Sequence, residues 1–426
     1  MLVPMLAAIL LRAGVSMAWQ DFSFSERMRL IDISWERAGA SEREAACGFL
    51  NSALRARIAK NYESSSLELD HALAALSKRT VRLEDAIDVA FASPVVEPGK
   101  EAELQVHWAY VPAGAKAITI SAGDHDVLCQ PGRPVSISVR PADVLPEVEN
   151  HPESVAPIPV QVGSVTKFAT ISISSRTRAR AEGFLSSSNP AVRGLAEGAQ
   201  RILDGKMVRQ SPVDSLSLAE SLQAGKKRLA DVLTFPSVVS EGALFRVSLP
   251  KVLPKSRRVD VLVCVAASGF SFSDYADAYG RGAIAQQAAQ RGWAMIAIEP
   301  GAPHSVSKAL RWLEDTCGIK PGRLFLMGHG AGGDALVSDA EALTGVAASA
   351  ILGPNLSQLP ASLLAHPVFI AAGKNDPFSE QPMAKLTELL KGRKDVELFR
   401  PERCEHLMVV ATAGEQMFKF FDQLGR

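Results

Sequence analysis

From about residue 237 to the C-terminus, strand-length apolar runs alternate with amphipathic helical segments. "VDVLVCVAA", "WAMIAIEP", "RLFLMG", "SAILG" and "PVFIAAG" are separated by "GAIAQQAAQRG", "SVSKALRWLEDTCG", "GGDALV" and "PMAKLTELLKGR", and "VELFRP" and "GEQMFKFFDQLG" follow. The apolar runs lack the polar alternation of a strand with one wet face, so both faces must be covered. Strands of this kind interleaved with helices predict a doubly wound α/β sheet. Ligands bind such sheets at the carboxyl ends of the strands.

At 426 residues the chain is too long for that sheet alone, and more than one domain is expected. Residues 19–93 read as a helical region. Within it Ser41 and Glu44 have the spacing of a capping box, and Ala45, Phe49, Leu50, Leu54 and Ile58 recur at helical spacing. Residues 94–175 carry short alternating runs such as "ELQVHWAYV", "PVSISVRPA" and "KFATISISS", and are expected to form a small β-sandwich-like domain. Residues 176–236 return to helix as a linker, and 237–426 form the α/β unit. In the β region His107, Asp124, His125 and Asp126 are of metal-ligating type, but "AGDHDV" reads as a solvated turn. No metal or other cofactor is expected.

The opening "MLVPMLAAILLRAGVSMAWQ" has an apolar run of signal-peptide length, with Ser16 and Ala18 as small residues at a cleavage point. Residues 1–18 are therefore expected to be a signal peptide and the protein to be exported to the periplasm, envelope or exterior. The run is too short to span a bilayer, so no stable membrane span is expected once it is removed. Lys plus Arg equals Asp plus Glu at 46 each, which gives no electrostatic case for nucleic acid or an anionic membrane. Aromatic residues at 6% supply no base-stacking platform. The five cysteines, Cys47, Cys129, Cys264, Cys317 and Cys404, have neither zinc spacing nor the pattern of a disulfide framework.

The chemistry concentrates in "RLFLMGHGAGGDALV", Arg323 to Val337. A strand runs into Gly328-His329-Gly330-Ala331-Gly332 and then into a helix. This is the layout of a nucleophile elbow, whose apex residue sits on a tight strand-to-helix turn flanked by glycines. The apex is Gly330, which has no side chain to acylate. Further along, "PVFIAAGKNDPF" ends a strand in a loop carrying Asp376, and "VELFRPERCEHLMVV" ends one in a loop carrying His406. An acid and then a histidine, in that order after the elbow, suit an Asp–His pair in which the acid fixes the imidazole tautomer. A dinucleotide-loop reading of "GHGAGG" is weak because its glycines do not lie within a first βαβ unit and no ribose-binding acid follows at the right distance.

On these residues the C-terminal part resembles the α/β-hydrolase superfamily, and within it the branch of secreted esterases, polyhydroxyalkanoate depolymerases and prolyl-oligopeptidase-like enzymes. The resemblance covers under half the chain. It implies a nucleophile at position 330, an acid at Asp376, a base at His406, and oxyanion donors from the backbone of Ala331 and the loop carrying Ser268 and Gly269. The chain departs from the family twice. Position 330 is Gly, and the oxyanion loop reads Ser268-Gly269-Phe270 in place of the usual His-Gly.

Three functions remain open. The favoured one is a hydrolase-like protein that binds or scaffolds, with a small ester, a peptide or a polymer-derived fragment as ligand. The second is an ester or peptide hydrolase that uses a water activated by His406, or another attacking group such as Ser268, with His329 a further imidazole nearby. The third is an ordinary serine hydrolase in which position 330 has been altered.

Overall fold

The computed structural model describes residues 3–150, 153–205, 211–266, 275, 279–299, 302–340, 343–355 and 365–424. Three helices open the chain: α1 (Val3–Arg37), α2 (Ala40–Ile58) and α3 (Tyr62–Leu76). The expected signal-peptide boundary at residue 18 falls inside α1. Gly39, not Ser41, is the N-cap of α2 and gives no side-chain cap, so the expected capping box does not form. Glu44 is spent elsewhere, as shown below.

The β region has two sheets around one apolar core. The three-stranded sheet has the order β1 (Ile87–Phe91), β3 (Ala102–Trp108), β6 (Val135–Val139). The five-stranded sheet has the order β2 (Val95–Val96), β8 (Val165–Ile173), β7 (Ser154–Val162), β4 (Ile118–Ala122), β5 (His125–Cys129). Strand β1 lies ahead of residue 94, where the sandwich was expected to begin. His125 and Asp126 stand on β5 and are exposed; among the described residues no His, Cys, Asp and Glu cluster could hold a metal ion.

Helix α4 (Pro141–Val144) is a single turn; α5 (Thr177–Leu185), α6 (Pro190–Leu203) and α7 (Pro212–Gln223) form the connecting helices. Helix α6 lies directly on β9 (Thr234–Ser240). Gly194 and Gly198 sit one turn apart on its contact side. A Cβ on Gly194 would come 2.9 Å from Val238 Cγ1, and one on Gly198 would meet the Ser237 carbonyl. The expected start of the α/β unit at 237 therefore falls inside a strand. "TFPSVVS" hides its strand character behind Pro236, which is tolerated because β9 is an edge strand.

The main sheet has eight strands in the order β16-β15-β14-β13-β11-β12-β10-β9. The remaining members are β10 (Ala243–Ser248), β11 (Arg258–Val265), β12 (Ala294–Ile298), β13 (Lys320–His329), β14 (Val346–Leu352), β15 (Val368–Ala371) and β16 (Val396–Phe399). Strands β11 to β16 are parallel, and β9 and β10 add an antiparallel edge. The helices are α8 (Ala283–Gln290), α9 (Ser305–Cys317), α10 (Ala331–Ala340), α11 (Glu380–Leu389) and α12 (Val409–Gln423). Alternate residues of one strand go to different cores: Leu262 and Cys264 of β11 join one apolar cluster, Val261 and Val263 the other. This is the doubly wound arrangement. The order reverses at β11, whose neighbours are β12 and β13, so the carboxyl ends of β11 and β13 form the switch point.

The N-terminal helices share the first of those cores. Phe24, Met28 and Ile31 of α1, Leu50 of α2 and Leu69 of α3 belong to the same cluster as Phe325, Met327 and Phe418. Helix α1 also meets the β region through a buried charge cluster. Arg27 pairs with Asp70 of α3 at 3.1 Å and with Asp88 of β1 at 2.8 Å, and Tyr110 Oη donates to Asp70 at 2.9 Å. No helix among the described residues is long and apolar enough to cross a membrane.

Candidate active site

The elbow follows β13, whose carboxyl end borders the switch point. Gly330 has φ +52°, a left-handed value that glycine adopts freely. Its N–H donates to Leu352 O at 2.9 Å, and its carbonyl accepts from Gly333 N at 2.9 Å as α10 begins. The flanking glycines are steric requirements. A Cβ on Gly328 would lie 2.7 Å from Gly333 Cα, and a Cβ on Gly332 would collide with the carbonyl of Val265 at the end of β11. Removing both side chains lets helix and strand touch where the chain turns. Ala331 is the first residue of α10, so its N–H belongs to the positive end of that helix.

Asp376 and His406 are brought together. His406 Nδ1 lies 3.1 Å from Asp376 Oδ2, and both side chains are buried. The other carboxylate oxygen accepts from Phe378 N at 2.9 Å and Ser379 N at 3.2 Å. Burial opposes ionisation of Asp376, but the hydrogen bonds from His406 and Ser379 outweigh it and hold the carboxyl below its ordinary range. An ionised acid accepts only, so Nδ1 of His406 carries a hydrogen, and in the neutral imidazole the lone pair is on Nε2.

Three further groups hold His406 and its loop, and their contacts are not legible in the sequence. The imidazole lies against Gly353 at the end of β14, where φ is +57° and a Cβ would stand 2.9 Å from His406 Cε1. His329, fully buried, places Nε2 3.0 Å from the His406 carbonyl. A carbonyl only accepts, so His329 Nε2 bears the hydrogen. Burial drives the His329 pKa down to about 3, and the ring is neutral at working pH. His329 therefore props the loop from below and is not a base. Glu405, also fully buried, accepts from Leu407 N at 2.7 Å and Met408 N at 2.9 Å, closing the start of α12. A glycine closing "SAILG" was the one available signal for the Gly353 cradle.

Helix α2 reaches the same loops. Asn51 Nδ2 donates to Asn375 O at 2.7 Å, and Asn375 Nδ2 donates to Glu44 Oε1 at 2.9 Å. The Phe378 ring meets His406 edge-on at 5.9 Å between centroids, and the Arg55 guanidinium lies 5.9 Å from the Phe378 ring centre. Ser268, Gly269 and Phe270 lie outside the described residues. The arrangement supplies a buried acid, an imidazole with an available lone pair, and a helix N-terminus, around an elbow apex without a hydroxyl.

No family model and no curated protein matches the chain. Among solved structures, a dienelactone hydrolase from Anabaena variabilis is 18% identical, covering 44% of this chain and 95% of its own, with a TM-score of 0.35. An esterase domain from a Rhodothermus marinus protein is 14% identical, covering 42% and 92%, with a TM-score of 0.33. An esterase from Pyrobaculum calidifontis is 15% identical, covering 43% and 84%, with a TM-score of 0.32. Likeness at this level says nothing about substrate. The C-terminal region is thus a doubly wound, mainly parallel sheet with a glycine turn after β13 and the Asp376–His406 pair on the loops that follow β15 and β16.

Proposed function

We propose that the chain binds an ester- or amide-bearing ligand at the elbow of a hydrolase-like site and forms no acyl-enzyme with it. The observation that carries this reading is Gly330 at the apex with φ +52°, between two glycines that the turn requires. Covalent catalysis needs an attacking atom at that point, and glycine offers none. Binding needs only the surroundings: the Ala331 N–H at the head of α10, the imidazole of His406, and the loop of Ser268 and Gly269 as second oxyanion donor. On this reading the chain is a pseudoenzyme of the secreted esterase, polyhydroxyalkanoate-depolymerase and prolyl-oligopeptidase-like branch, with a helical region, a β-sandwich-like domain and a helical linker ahead of its α/β domain. It is exported after cleavage behind Ala18, which N-terminal sequencing of the mature protein tests.

A second reading is favoured by the Asp376–His406 bond. A water beside His406 would lose a proton to Nε2 as its oxygen attacks the carbonyl carbon. Collapse of the tetrahedral adduct would break the bond to the leaving alkoxide, which takes the proton back from Nε2. One experiment separates the two readings. Binding of p-nitrophenyl butyrate is followed by saturation-transfer NMR, and its hydrolysis by p-nitrophenolate release, in the natural chain and in His406→Ala. Binding with turnover at the buffer rate supports the binding protein. Turnover above buffer that His406→Ala abolishes supports the water route. No binding by the folded chain overturns both.

A further inference from the structure

The stripe Glu44, Cys47, Asn51, Arg55 on α2 has the i, i+3, i+4 spacing of a single helix face. Two of its members are tied to the loop that carries Asp376: Asn51 through the Asn375 carbonyl and Glu44 through the Asn375 amide. Arg55, one turn beyond Asn51, is thereby held at a set place beside that loop. Its guanidinium rests over Phe378, and Phe378 in turn meets His406. The two ring spacings put the guanidinium no more than about 12 Å from the His406 imidazole.

Arg55 is exposed and, among the described residues, has no carboxylate partner. Other charges on this helix and on the Asp376 loop are occupied: Arg57 pairs with Asp21, Lys374 pairs with Glu402, and Glu44 accepts from Asn375. Glu44 precedes Arg55 by eleven residues on α2, about 16 Å along the axis at 1.5 Å per residue, beyond one Debye length at physiological salt. The acid of that loop, Asp376, is buried and taken up by His406, Phe378 and Ser379, so the Arg55 guanidinium makes no direct ion pair among the described residues. Its planar fork, already laid on an aromatic ring, suits bidentate recognition of a carboxylate.

We propose that Arg55 is a specificity-determining residue of the site and selects ligands carrying a carboxylate a few methylene groups from the ester carbonyl. This rests on the reading of the elbow as a ligand site. The ester end would lie at Gly330 and His406, the chain along Phe378, and the carboxylate on Arg55. The N-terminal helices then contribute a binding group to a site whose other parts come from the C-terminal sheet.

The test uses the full chain labelled with ¹⁵N-histidine, following the His406 imidazole by NMR during titration with monomethyl glutarate or dimethyl glutarate. The monoester should saturate the His406 shift at least about tenfold lower in concentration than the diester, the size expected of a charged hydrogen bond. Arg55→Gln should remove that preference without changing diester binding, and Arg55→Lys should restore part of it. A preference that survives Arg55→Gln, or equal binding of the two esters by the natural chain, overturns the proposal and leaves the ligand site standing. A loss of both esters alike in Arg55→Gln also overturns it, because that is the signature of a packing role. No response of His406 to either ester removes the ligand site itself, and this inference with it.

Discussion

Replacing Asp376 by Asn isolates the one interaction that gives His406 its chemistry. The carboxylate receives three hydrogen bonds, from His406 Nδ1 at 3.1 Å, Phe378 N at 2.9 Å and Ser379 N at 3.2 Å. An Asn oxygen can keep the two backbone N–H groups, which turns its NH₂ toward His406. An NH₂ group only donates, so His406 must place its lone pair on Nδ1 and its proton on Nε2. The variant thereby loses both the base and one charge-assisted hydrogen bond, about 2 kcal/mol in stability. Because the Asp376 carboxyl is held below its ordinary range, its contribution is present above about pH 4 and fades as pH falls through the lower native value. The destabilisation in Asp376→Asn should therefore be full at pH 7 and shrink in acid. Long-range ¹⁵N–¹H correlation of His406 reads the tautomer directly: Nδ1–H in the natural chain, Nε2–H in the variant. Any His406-dependent ester turnover should fall on the order of 10⁴-fold, as for the corresponding change in a serine protease. An unchanged tautomer in a folded Asp376→Asn protein would refute the reasoning.

Gly332→Ala drives a methyl group into the Val265 carbonyl and should cost about 2–3 kcal/mol in urea denaturation; a neutral substitution would show that strand and helix are not in forced contact. Arg27→Ala leaves Asp70 and Asp88 buried without their shared cation and should cost about 3–5 kcal/mol by the same measurement, against a small effect if the cluster is solvated. Glu405 works in the opposite sense to Asp376. Burial raises its carboxyl to about 7, so the native state holds a proton that the unfolded chain releases near pH 4.5. Its contribution is complete below that pH and is lost as pH rises through 7, on the order of 3 kcal/mol over the window. Glu405→Gln should flatten the stability profile between pH 5 and 7, and parallel profiles would contradict this.

The parts of the site legible in the sequence are those written locally. Gly328, Gly330 and Gly332 lie within five residues, and their spacing encodes a turn with a close strand-to-helix approach. Asp376 and His406 are read from their order after the elbow and from the strands that precede them. The contacts that hold these groups are made between distant segments. Asn51 meets the backbone of Asn375 across 324 residues, and no periodicity in α2 announces that partner. Gly353 resembles any strand-closing glycine until an imidazole lies on it. His329 shows only that a histidine follows Gly328; its role depends on a carbonyl 77 residues away. Strand β9 is not legible because Pro236 disguises an edge strand, and β1 because five residues ahead of a Ser-Pro turn carry too little alternation to stand out.

We propose that one hydroxyl is missing from the frame that Gly330, Asp376 and His406 form. Intact-mass analysis after exposure to a fluorophosphonate tests it most directly, comparing the natural chain with Gly330→Ser. A serine at φ +52° carries a left-handed strain of about 1–2 kcal/mol, which leaves the variant folded. The account predicts no adduct on the natural chain and a single adduct at position 330 in Gly330→Ser, abolished by the further change His406→Ala. An adduct on the natural chain, or a folded Gly330→Ser protein that stays unlabelled, would contradict it.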